Sequence, residues 1–163
     1  KKRAALAEEM KMLYNSANVC KDFLPKLDAL DARMNNYSLI LLLDYCGTRL
    51  LLPGDTNMTG YDGIDLADLR ADLFKVGHHG QRDGAGTALA DAIRPAAVVC
   101  CASSDRRYNS AHPDTLKLFS DSGARLYFSD CPPVPGLTVP PHQALTFTVG
   151  PSGALKARYV PIA

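Results

Sequence analysis

The chain has 163 residues, 47% of them apolar, and 18 Lys and Arg against 17 Asp and Glu give a formal net charge of +1. That length supports one domain with a substantial core and is short for two, and the charge balance excludes an overall field that would draw in polyanions. No run approaches the roughly 20 apolar residues of a membrane-spanning helix or the apolar segment of a signal peptide, and five cysteines, an odd number with no C-x-x-C pair, do not suggest a closed disulfide framework.

Residues Arg3 to Met12 are strong helix formers, with apolar positions at Leu6, Met10 and Leu13, and predict an amphipathic helix that covers a sheet. From Asn15 to Arg33 the pattern is irregular, with one helical turn expected near Leu27 to Leu30. Ser38 to Tyr45 and Arg49 to Leu52 read as strands of a hairpin turned at Cys46-Gly47-Thr48. Their continuous Leu and Ile content predicts strands covered on both faces.

Thr56 to Ile64 reads as loop, Leu66 to Arg70 as a short helix, and Leu73 to Val76 as a strand. Thr87 to Ile93 is expected to be helical up to Pro95, and Ala96 to Ala102 a buried strand in which Cys100 and Cys101 act as small hydrophobes. Ser103 to Ala111 is polar loop, and a helix starts at Pro113 and stops at Gly123. A strand at Arg125 to Phe128 ends at Ser129-Asp130. The segment Cys131 to Pro141 carries Pro132, Pro133, Pro135, Pro140 and Pro141 and predicts an extended surface loop. Ala144 to Val149 and Ala154 to Val160 flank Gly150-Pro151-Ser152-Gly153 as a terminal hairpin. The expected class is therefore α/β (α+β).

Two of these strands stop at groups able to bind a metal: Leu51-Leu52-Pro53-Gly54-Asp55, and Lys75-Val76-Gly77-His78-His79-Gly80. A strand is a rigid mount, and glycine at its tip lets backbone and ion approach closely. A carboxylate and an imidazole from neighbouring strand ends suit a hydrolytic zinc site that leaves a position for water. Mn or Fe fits the same donors. The basic clusters Lys1-Lys2-Arg3 and Arg106-Arg107 read as solvated surface.

With Asn35-Asn36-Tyr37-Ser38-Leu39-Ile40-Leu41 before them and Ala111-His112-Pro113 after, these segments resemble the metallo-β-lactamase-like domain of ComEC-type competence proteins and their free-standing relatives, over roughly residues 33 to 150. Four segments in order are more specific than any one. The family's first half carries a His-x-His-x-Asp-His signature, and the four histidines here, at 78, 79, 112 and 142, do not form it. The resemblance therefore implies the C-terminal half of an αββα sandwich, with 1–34 a helical N-terminal segment and 35–163 the metallo-β-lactamase-like half. Its partner would be the missing N-terminal half or a dimer mate.

Carried over position by position, Asp55 matches the family's bridging metal ligand and the His78-His79 pair its last metal-binding histidine. His79 is favoured as ligand and His78 as a contact to substrate phosphate, though the roles can be reversed. His112 is assigned substrate positioning or proton donation, against a local hydrogen bond at a helix start. Asp130 is assigned the orientation of a metal-bound imidazole, against a turn cap. Tyr108 and Asn109 are candidate substrate contacts, and His142 reads as surface. The implied activity is zinc-dependent hydrolysis of phosphodiesters by one or two ions, on nucleic acid or, alternatively, a choline-phosphate ester. A metal-free half-domain acting as scaffold or interaction module is the competing expectation. The setting is cytoplasmic for a free-standing form, or a soluble domain of a larger membrane protein.

Overall fold

The computed structural model describes residues 2–15, 26, 29–30 and 33–162. Most of the irregular segment expected at Asn15 to Arg33 therefore lies outside the described residues, as do Lys1, Cys20 and Leu27; residues 29 and 30 are helical. Helix α1 (Lys2–Asn15) buries Leu6 and Leu13, two helical turns apart, against Leu30. This cluster is separate from the sheet core, so the expected packing of the first helix on the sheet gives way to a small core of its own.

A five-stranded sheet runs in the order β1 (Leu41–Tyr45), β2 (Thr48–Leu52), β3 (Leu73–Lys75), β4 (Ala97–Cys100), β5 (Arg125–Phe128). The first pair is antiparallel, with Tyr45 opposite Thr48, and the other pairs are parallel. Between β1 and β2 the turn residues Cys46 and Gly47 have φ of 53° and 78°. Two consecutive positive φ values make the tight hairpin whose twist matches its strands. Helices α2 (Thr87–Ile93) and α3 (Pro113–Asp121) form the crossovers from β3 to β4 and from β4 to β5.

Alternation along the parallel strands sends residues to two separate layers. Phe74 and Val98 face the helices, packing with Leu89, Ile93 and Phe119. The Phe74 and Phe119 rings lie 5.4 Å apart. Leu73, Ala97 and Val99 face the opposite side, which the antiparallel hairpin β6 (Ala144–Val149) and β7 (Leu155–Val160) covers with Leu145, Phe147 and Leu155. Tyr127 meets Phe147 edge-on there, and the Tyr159 hydroxyl accepts the Phe128 N–H at 3.0 Å. The fold is mixed α and β, a mixed sheet flanked by helices, as the sequence predicts.

Two expectations need correction. Strand β1 is exposed along its whole length, not covered on both faces. It is the edge strand, and Leu41, Leu42, Leu43 and Tyr45 stand in solvent together with Leu39. The proline-rich loop is irregular as expected, but it is tied down at Val134, which packs with Cys100, Leu116 and Phe128.

Candidate functional site

Because β2 to β5 are parallel, their carboxyl ends open on one edge of the sheet, the usual place for a ligand in such a sheet. Asp55 follows β2, His78 and His79 follow β3, the segment from Cys101 to Asn109 follows β4, and Asp130 follows β5. The parallel register therefore brings together residues that are far apart in sequence.

The histidine turn is built on close approach. A Cβ on Gly77 would lie 2.3 Å from the Thr56 carbonyl oxygen, so only glycine fits there. His78, His79 and Gly80 then follow one another at φ 48°, 54° and 70°. Left-handed conformations at two non-glycine residues cost free energy and persist only when the surroundings hold them. The surroundings here do: Ala111 N–H donates to the His79 carbonyl at 3.0 Å and His112 N–H to the Gly80 carbonyl at 2.8 Å.

This turn separates the two imidazoles. His78 is mostly buried, and its Nδ1 pairs with Asp83 Oδ1 at 2.9 Å while Nε2 meets the amide nitrogens of Asn35 and Gln81, each at 3.1 Å. With the ring proton on Nδ1, both nitrogens are fully used. His79 is half exposed; its Nδ1 donates to the Cys101 carbonyl at 2.8 Å, which leaves the Nε2 lone pair free. That nitrogen lies 3.3 Å from Asp55 Oδ2.

Asp55 is held from two other sides. Its N–H donates to Ser38 Oγ at 3.2 Å, and Lys75 Nζ stands 3.6 Å from Oδ1 while donating to the Gly54 carbonyl at 2.7 Å. The Asp55 carboxylate thus has the Lys75 ammonium near one oxygen and the His79 imidazole near the other.

His112 caps α3: its Nδ1 accepts the Asp114 N–H at 3.2 Å. Asp130 accepts the Ser104 and Cys131 N–H groups at 2.9 and 2.8 Å, and hydrogen bonding, from the Ser104 side chain first, lowers its pKa below the ordinary carboxylate value. The group that orients His79 is the Cys101 carbonyl, while Asp130 lies across the same cleft. That cleft, about 450 Å³, is bordered by His79, Arg107, Tyr108, Ser110 and Asp130. A second cleft, of about 630 Å³, reaches Asp55 from the side of α1. Asn109 has left-handed backbone beside Tyr108, and the His142 ring lies 4.5 Å from that of Tyr159, tilted by 52°.

Sequence reasoning missed Lys75, Gln81, Asp83 and the Cys101 carbonyl. Lys75 had a signal, a lysine closing an otherwise apolar strand. Backbone carbonyls leave none.

Among the described residues no group of three or more His, Cys, Asp or Glu is spaced to hold a metal ion. The Asp55–His79 pair nonetheless fits two positions of such a site. Two donors each about 2.05 Å from a tetrahedral zinc lie about 3.3 Å apart, whereas a charge-assisted N–H···O bond would be about 2.7–2.9 Å. The spacing and donor types fit a shared cation; two donors are one short of the three protein ligands of catalytic zinc sites.

No family model matches the chain. It is 29% identical over 101 residues to ComE operon protein 3 of Bacillus subtilis (strain 168), an alignment that covers 61% of this chain and 13% of that protein. The chain spans a small fraction of that relative's length.

Proposed function

We propose that this chain supplies part of the site of a metal-dependent phosphodiester hydrolase with a metallo-β-lactamase-like fold, acting on nucleic acid in DNA uptake. One observation carries the reading: Asp55 Oδ2 and the free Nε2 of His79 stand 3.3 Å apart at neighbouring strand ends. The similarity to ComE operon protein 3 supports the same direction.

Asp55 and His79 would hold the ion, zinc in the first place and Mn or Fe as alternatives. When bound, it supplies an activated water and neutralises charge developing on phosphate oxygens. The chain's own residues set up that arrangement. Cys101 fixes the His79 tautomer, Lys75 holds the Asp55 carboxylate against Gly54, and His78 with Asp83 locks the turn. The remaining ligands would come from a segment beyond the described residues or from a partner chain.

The test is zinc titration of the protein by isothermal calorimetry, with hydrolysis of single-stranded DNA followed in parallel. Weak zinc binding by this chain is expected, with metal-dependent cleavage only where the remaining ligands are supplied, and both lost in Asp55→Ala. Cleavage that survives Asp55→Ala would end the proposal, and so would zinc binding that does.

A second reading, an interaction module that needs no metal, rests on a different observation. Among the described residues strand β1 pairs only with β2 and carries exposed leucines on both faces, and contiguous apolar surface of this kind marks association sites.

A further inference from the structure

The cleft beside His79 holds side chains that hydrolysis at Asp55 and His79 leaves unused. Tyr108 stands at its border, 83% exposed, so an aromatic face is left in water with nothing packed on it. Arg107 precedes it, and its Nε is ion-paired with Asp105 while no hydrogen bond engages its terminal guanidinium nitrogens among the described residues. Ser110, on the same border, is 3% exposed, and its hydroxyl has no hydrogen-bond partner among the described residues. Buried hydroxyls are nearly always paired, so an orphan at a cleft wall calls for an explanation. Asp130 borders the same cleft, with its two carboxylate oxygens accepting the Ser104 and Cys131 N–H groups.

An exposed aromatic ring, a guanidinium and hydrogen-bonding walls together match a nucleotide. The ring stacks on a base, and the planar guanidinium suits a phosphate. A volume of about 450 Å³ lies in the range of small-molecule sites. Stacking needs an open base face, which a duplex covers along its length. A cationic headgroup such as choline would also favour an aromatic ring and a carboxylate, but Arg107 next to Tyr108 opposes a cation.

We propose that this cleft is a subsite for one unpaired nucleotide of a nucleic-acid strand, with Tyr108 stacked on its base and Arg107 facing its phosphate. This deepens the phosphodiesterase reading and rests on it for the position of the strand relative to His79. The binding itself needs no metal.

The experiment uses a single-stranded DNA octamer carrying 2-aminopurine, whose fluorescence is quenched on stacking, titrated with the protein in EDTA. Quenching on binding is expected, with affinity about tenfold lower for Tyr108→Ala and kept in Tyr108→Phe. Equal affinity of Tyr108→Ala and wild type would overturn the subsite, as would equal binding of the duplex, or displacement by phosphocholine at lower concentration than by a nucleoside monophosphate. The two proposals fail separately. Asp55-dependent zinc binding with unchanged Tyr108→Ala binding of DNA removes the subsite alone, whereas tyrosine-dependent quenching with zinc binding that survives Asp55→Ala leaves it standing and removes the hydrolase.

Discussion

His78 and His79 are adjacent in sequence and opposite in use. The left-handed turn sends the first ring inward, where Asp83, Asn35 and Gln81 satisfy it, and the second to the border of the cleft, where one nitrogen stays open. Truncating His78 should therefore act on stability. His78→Ala leaves Asp83, Asn35 and Gln81 without their common partner and is expected to cost about 1–3 kcal/mol in denaturant unfolding. His79→Ala, at a half-exposed position with one backbone hydrogen bond, should cost less. Equal losses for the two variants would contradict the division of roles. The sequence showed that this pair was unusual, since two glycine-flanked imidazoles are poor packing elements. It could not show which ring stays open, because the deciding partners, Asn35 and the Cys101 carbonyl, come from other elements.

At the scale of elements, the parallel strands were legible because their apolar runs are short and end at glycine or a polar residue. The hairpin turn, the Pro113 start of α3 and the Gly123 stop follow from backbone preferences that act locally. Strand β1 is where local reading failed. A run of leucines reads as buried, yet burial depends on what lies alongside, and among the described residues only β2 pairs with it. Asp44 is the one charge on this otherwise apolar edge, and charges are what usually discourage edge-to-edge pairing. Leu39→Lys is expected to reduce concentration-dependent association in sedimentation velocity and to leave the melting temperature within a few degrees, because Leu39, beside β1, is 73% exposed and has little burial to lose. A wild-type chain that sediments as a monomer at high concentration would remove the interaction-module reading.

For the molecule as a whole, a net charge of +1 leaves recognition to local groups. The sheet's carboxyl edge gathers them: one carboxylate and one imidazole within reach of a shared ion, and a cleft with an aromatic ring and a guanidinium next to it. No helix among the described residues is long and apolar enough to cross a membrane. The chain spans only a small part of the length of its relative, ComE operon protein 3. The account stands or falls on Asp55 and His79 gripping one cation. Long-range ¹H–¹⁵N correlation of the imidazole nitrogens during zinc titration tests this most directly. The account predicts that Nε2 of His79 shifts while its Nδ1 keeps its proton, that the nitrogens of His78 stay in place, and that Asp55→Asn abolishes the response. A shift centred on His78, or none at His79 at millimolar zinc, would contradict it.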